Sequence, residues 1–200
     1  MDTLVFLGRT LGFSVAAGVN LYATVALIGL ASRFGWVNLP PEYGVFDNNW
    51  VIAVALVLYS VEFVADKVPW VDTLWDAVHT FIRPIGGAAV AVAALGESSP
   101  AMTALIAVVG GTVAAGAHAT KAGTRVVVNT SPEPLSNWAL SLLEDGFVVG
   151  LGLLALKYPI AALAVSAVVI LAMTILAGTL IRAFRRRFGN RRRAAPSATG

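Results

Sequence analysis

Apolar positions along the chain fall into blocks, and the polar residues interrupting them define the elements. Residues 10–32 and 160–181 carry no charge and are bounded by Arg9 and Arg33, and by Pro159 and Arg182. Each is long enough to cross a bilayer, since about 20 apolar residues at ~1.5 Å rise span a hydrocarbon core of about 30 Å. Four further blocks are interrupted. Residues 50–65 contain Glu62, 71–96 contain Asp72, Asp76, His79, Arg83 and Pro84, 102–120 run into Lys121, and 138–156 contain Glu144 and Asp145. The pattern predicts six membrane-spanning helices, the third kinked at Pro84, where proline removes a backbone donor. The fold class is therefore all-α, a polytopic membrane bundle. No basic stretch precedes the first block, so a cleaved signal peptide is not expected.

Composition agrees with this class. The 200 residues are 58% hydrophobic and 12% charged, with a mean hydropathy of +0.79, which a water-exposed domain could not sustain. The formal charge of +3 hides an asymmetry, because seven of the 14 Lys and Arg lie in the last 19 residues. That leaves seven bases and eleven acids in residues 1–181. The basic tail beside the last span reads as an anchor on anionic lipids, with no nucleic-acid role. Counting Lys and Arg around short loops places both termini in the cytoplasm, with only Arg33 and Lys157 outside, and the localisation as a bacterial plasma membrane. The absence of cysteine excludes disulfides and thiolate chemistry.

The two halves of the chain resemble each other. Ser14-Val-Ala-Ala-Gly-Val-Asn20 matches Thr112-Val-Ala-Ala-Gly-Ala-His118, Asn38 matches Asn129, Asn49-Trp50 matches Asn137-Trp138, and Lys67-Val-Pro69 matches Lys157-Tyr-Pro159. The offsets are 98, 91, 88 and 90 residues, in collinear order. Two repeats, 8–97 and 101–182, of three spans each would then be inverted, an arrangement that puts a site between the halves. Asn20 and His118 become equivalent positions near the middles of spans one and four. Gly111, Ala115, Ala119 and Gly123 form a small-residue stripe predicting a tightly packed fourth span. Residues 1–182 make one transmembrane domain and 183–200 a disordered basic tail.

Charge inside a membrane is costly, so its placement points to function. Asp72, Asp76, His79 and Arg83 follow one another at spacings of 4, 3 and 4, one stripe of a helix. Glu62 and Asp66 are one turn apart, His118, Lys121 and Arg125 share a face of span four, and Glu144-Asp145 are placed in the first turns of span five. Together with Asn20 these residues make a candidate pathway or buried polar cluster, all but His118 of the charged groups on the inner side, with six acids and four bases (His79, Arg83, Lys121 and Arg125) there. A metal triad of Asp72, Asp76 and His79 has weak support, and no metal or other cofactor is expected. In 129–137, Ser131 before Pro132 and Glu133 reads as a helix N-cap. No catalytic motif is present, so no enzyme is expected.

Several motifs also carry a resemblance. Gly18-Val-Asn20-Leu-Tyr22, Glu62-Phe-Val-Ala-Asp66-Lys67-Val-Pro69, Asp72-Thr-Leu-Trp75-Asp76, His79-Thr-Phe-Ile-Arg83-Pro84, Asn129-Thr-Ser-Pro132-Glu133-Pro134-Leu-Ser-Asn137 and Glu144-Asp145 resemble a bacterial integral-membrane family known as a domain of unknown function (DUF4126), over residues 8–160. The resemblance implies a multi-pass membrane protein and supplies no substrate. Two functions stay open on the residues. One is a small transporter or channel for a proton, cation or small solute; the other is a membrane scaffold or accessory subunit with structural ion pairs. A lipid-modifying or lipid-moving role is a weaker third, and self-association stays open.

Overall fold

A computed structural model describes residues 3–39, 41–96, 98–130 and 134–189. The described residues form seven α-helices and no strand: α1 (Thr3–Val19), α2 (Leu21–Arg33), α3 (Asn49–Ala65), α4 (Pro69–Leu95), α5 (Pro100–Asn129), α6 (Pro134–Lys157) and α7 (Pro159–Gly189). A 3₁₀ turn, Pro41–Phe46, precedes α3. Helices α4 to α7 are long and apolar enough to cross a membrane. α3 is shorter, at 17 residues. Proline opens α4, α5 and α7 at a position whose N–H has no helical partner, and Ser99 caps α5 by accepting from the Met102 N–H. The Ser131 cap and residues 190–200 lie outside the described residues; α6 begins at Pro134.

The packing contacts give each helix a direction. Asn129 donates to the Pro69 carbonyl at 3.1 Å, so the end of α5 lies beside the start of α4. We refer to this as the charged end. Along α1, Gly8 lies against Pro159, Gly12 against Ala155 and Ala162, and Gly18 against Ala114 and Ala117, while Asn20 reaches Asp145. α1 therefore descends from the α6–α7 turn towards the middle of the bundle. α2 climbs back: Leu21 covers Gly86, Leu27 covers Gly152, Gly29 abuts Phe46 and Ile52, and Arg33 pairs with Asp47 at 2.8 Å. The block 10–32 is thus a helical hairpin with its tip at Asn20, where one continuous span was expected.

The break has a local cause. Asn20 adopts an extended backbone (φ −147°, ψ 101°), and its side-chain oxygen accepts from the Ala23 N–H at 2.9 Å, capping α2. Asn competes well for backbone donors outside a helix and caps helices for the same reason. Four helices, α4 to α7, have the length and apolarity of a span, α1, α2 and α3 being shorter, and the first and last described residues lie at opposite ends of the bundle. Two of the matched anchors still fall at related places, since Asn49 and Asn137 lie near the starts of α3 and α6, and Pro69 and Pro159 open α4 and α7. The pairs α3–α4 and α6–α7 run in opposite senses. The hairpin has no counterpart in α5, which continues unbroken through His118.

Close packing is carried by one face of α5. A Cβ on Gly18 would meet Ala114 backbone and the Ala117 side chain at 2.6 Å, and Gly87 and Gly110 pack against Ala114 and Ala91. The expected stripe departs from this face. Gly111 touches Pro84 and Ala88, but Ala119 and Gly123 are exposed. Positions four apart rotate by about 40° per step on a helix of 3.6 residues per turn, so such a stripe leaves any straight contact line. Facing outward, α7 has only 11% of its most apolar window buried and presents Val168, Leu171 and Ile175 to the surroundings, as expected of a helix against lipid. α7 also continues helically through Gly189, so the tail expected to be disordered from 183 is ordered that far. Ala, Arg and Phe sustain a helix, and the first breaker is Gly189.

The buried ion cluster as a candidate functional site

The polar stripe of α4 faces inward as the spacing predicts. Asp72, Asp76, His79 and Arg83 are all buried. α5 runs antiparallel and brings His118, Lys121 and Arg125 opposite them, α3 contributes Glu62 and Asp66 from its last turn and C-cap, and α6 contributes Glu144 and Asp145. Because α6 begins at Pro134, this last pair lies near the middle of that helix, deeper than expected. All twelve predicted residues occupy one half of the bundle.

The ion pairs form a ladder from the charged end inward. Arg125 binds Glu144 at 2.6 Å and Asp66 at 3.1 Å, with Asp72 at 4.0 Å. Lys121 binds Asp66 at 3.0 Å, Glu62 at 3.2 Å and Glu144 at 3.7 Å. Arg83 binds Glu62 at 2.8 Å and Asp76 at 3.4 Å. Arg83 also donates to the His118 Nδ1 at 2.7 Å and to the Gly18 carbonyl at 3.4 Å, tying the ladder to the last turn of α1. A guanidinium offers only donors, so Nδ1 must accept and the His118 proton resides on Nε2. Nε2 faces the Thr80 hydroxyl and the Asp76 carbonyl, both at 3.1 Å.

The hairpin tip enters the same cluster. Asn20 donates through Nδ2 to Asp145 at 3.2 Å while its oxygen caps α2. One side chain thus places a carboxylate near the positive N-terminus of a half-helix. Tyr22, two residues on, makes a 2.9 Å hydrogen bond with His79 Nε2, whose Nδ1 lies 2.7 Å from the Trp75 carbonyl and donates to it. Sequence reasoning missed Tyr22 and Asn129 as site residues; Asn129 donates to Asp72 at 2.7 Å. The signal available was position alone, since Tyr22 follows Asn20 closely and Asn129 lies one turn beyond Arg125. Lys67 stands beside the cluster. Its ammonium donates to the Phe63 carbonyl at 2.7 Å and lies over the Phe63 ring, and burial pushes it below the ordinary lysine range while Asp145 and Asp66 pull the other way.

Acids outnumber bases in this cluster. Six carboxylates face three buried bases, Arg83, Lys121 and Arg125, and Lys67 at the side leaves an excess of two negative charges if every acid is ionised. Glu62 Oε2, Asp66 Oδ1, Asp145 Oδ2 and both oxygens of Asp76 accept no hydrogen bond. Burying a carboxylate is costly unless it is paired and hydrogen-bonded, and here the hydrogen bonding is incomplete. A cavity of about 170 Å³ between α4 and α5 is lined by Thr73, Asp76, Thr80 and Arg125 and adjoins Asp76. Asp72, Asp76 and His79 do not converge: each turns to its own partner, and no cluster of three metal-ligating side chains occurs among the described residues.

Fold and site together define a helical membrane-type protein with apolar helices around a buried ion-pair cluster. The chain belongs to the family described as Domain of unknown function (DUF4126), whose family model matches residues 7–178. No curated protein and no solved structure matches it. The match takes in α7 as far as Gly178, beyond the 8–160 that the motifs cover.

Proposed function

We propose that this protein is a small transporter or channel of the plasma membrane that moves a proton or cation through the buried cluster. The observation that carries the reading is the excess of carboxylates over bases, concentrated where a re-entrant half-helix ends. Broken helices with their ends at mid-membrane line ion sites in transporters, because exposed backbone groups are tolerated there only in protein or beside a water-filled cavity. Asp76 exchanges the ion with the adjoining cavity, Glu62 and Glu144 share it with the bases, and Arg83 links occupancy to the hairpin. The charged end faces the cytoplasm in this reading, with eleven of the 14 Lys and Arg on that side and Arg9, Arg33 and Lys157 on the other.

The test is flux through liposomes holding the purified protein, under pH, Na⁺, K⁺ and Mg²⁺ gradients. Wild type should exceed empty liposomes, and Asp76→Asn and Glu144→Gln should reduce flux at least tenfold while remaining folded. Wild-type flux equal to that of empty liposomes in every gradient would overturn the reading.

One observation favours a scaffold instead: each buried base contacts at least two carboxylates, as a register lock would. In that case the exchange Asp76→Arg with Arg83→Asp should restore folding lost in either single change, with no flux in any variant.

A further inference from the structure

Of the six carboxylates in the cluster, Asp76 alone accepts no hydrogen bond at either oxygen among the described residues, although it is only 4% exposed. The base paired with it, Arg83, holds its Nη1 at 3.4 Å and donates from that nitrogen to His118 Nδ1 and the Gly18 carbonyl instead. The charged and titratable groups around Asp76 are Asp72, His79 and Arg83 on α4, His118 and Arg125 on α5, and Glu62 of α3 across Arg83. None of them donates to its carboxylate.

The cavity of about 170 Å³ beside Asp76 opens outward between α4 and α5. Thr73, Ala77, Thr80 and Val126 form an exposed rim, with Asp76 and Arg125 buried beneath it. This groove supplies no donor either. The Thr73 and Thr80 hydroxyls donate to the Pro69 and Asp76 carbonyls at 2.9 and 3.0 Å, and the three Arg125 nitrogens donate to Glu144, Asp66 and the carbonyls of Asp66 and Asn137. A water needs about 10–15 Å³ of such space, so several fit, and water brings the donor that the carboxylate lacks. Exposed Trp70, in the first turn of α4, marks headgroup level, and Asp76 lies about 9 Å deeper at ~1.5 Å per residue.

These surroundings select among cations. A metal ion needs several oxygen ligands, and no group of three metal-ligating side chains occurs among the described residues. It would also stand against Arg83 and Arg125, neither of which can give up its charge. A proton needs no ligand shell and leaves a neutral acid, which removes the charge that hydrocarbon depth penalises. Neither histidine is free to carry it. His118 accepts from Arg83 at Nδ1 and turns Nε2 to Thr80 and the Asp76 carbonyl, while His79 is held between Tyr22 and the Trp75 carbonyl.

Resting on the transport function proposed above, we propose that the transported ion is a proton and that Asp76 is its binding site, reached through water in the α4–α5 groove. A hydronium in the groove gives its proton to one Asp76 oxygen and becomes water; release to a water restores the carboxylate.

The full chain in liposomes is treated with dicyclohexylcarbodiimide, a lipid-soluble reagent that attacks protonated carboxyls, and the modified residues are located by peptide mass spectrometry. Asp76 should be labelled ahead of Glu62 and Asp66, with labelling falling at least tenfold as the buffer is taken from acid to alkaline. The same treatment should abolish proton uptake driven by a potassium diffusion potential. Ala77→Phe, which fills the rim, should cut labelling at least fivefold; if that variant fails to fold, the pH dependence in wild type decides. No label on Asp76, or wild-type labelling indifferent to pH, would overturn the site. A labelled, pH-dependent Asp76 with flux of Na⁺, K⁺ or Mg²⁺ and none of protons would overturn the proton as cargo and leave transport standing. The same label with no flux in any gradient would overturn transport and leave the proton site standing.

Discussion

Arg83 is the residue on which most of the site depends, because one guanidinium meets Glu62, Asp76, the His118 ring and the Gly18 carbonyl. Removing one partner of a buried ion pair leaves the other charge stranded, which costs about 3–5 kcal/mol. Arg83→Gln should therefore destabilise the protein by about that amount, measured by denaturant unfolding in detergent. Arg83→Lys should recover less than half, since a single ammonium cannot reproduce a planar fork spread over four acceptors. If lysine restored full stability, the hydrogen bond to His118 would be dispensable. That Arg83 faces inward was legible from its place on a polar stripe at helical spacing. That it also pairs with Glu62, further away in sequence than Asp76, was not, because that contact depends on where α3 ends relative to α4. Tyr22 and Asn129 escaped notice for the same reason: their partners are set by packing between distant segments.

Among the elements, α3 to α7 were legible because hydrophobic blocks bounded by Pro, Asn and Ser mark helix starts directly. The hairpin α1–α2 was not. Residues 10–32 hold no proline and no charge, and Asn20 is their single amide side chain in an otherwise helical pattern. What turns the chain is tertiary: Gly18 allows α1 to meet α5 at backbone distance, and Asp145 receives the Asn20 amide. Asn20→Ala should cost about 1 kcal/mol for the lost cap and also strip Asp145 of the Asn20 amide donor. Asn20→Asp would keep a capping oxygen but place two carboxylates together, and should be worse than alanine. Gly18→Val should cost about 1–3 kcal/mol through overpacking, because the contact is with α5 backbone and cannot yield by rotamer change. Thermal unfolding of the three variants in one detergent would rank them, and an Asn20→Asp protein as stable as wild type would refute the proximity of Asp145.

At the scale of the molecule, the hairpin changes topology. A chain of six spans returns its end to the side on which it began, whereas a hairpin followed by five passages does not. The absence of native cysteine makes the distinction accessible, since any introduced thiol is the only one present. Single cysteines at Leu4, Asn48, Ser99 and Thr130 can be challenged in sealed vesicles with a membrane-impermeant maleimide. Leu4, Asn48 and Ser99 belong to the end of the bundle opposite the charged cluster, and Thr130 to the charged end, where Asn129 meets Pro69. The first three should therefore label from one face and Thr130 only after permeabilisation, or the reverse in inverted vesicles. Six continuous spans would group Leu4 with Thr130 instead. That grouping would also remove the structural reason for a half-helix ending at Asp145, because α1 would then have to continue past the cluster. A matching pattern at Leu4 and Ser99 would fix Arg9 on the same side as Lys157 and leave the acid-rich half of the bundle on the side where α7 ends.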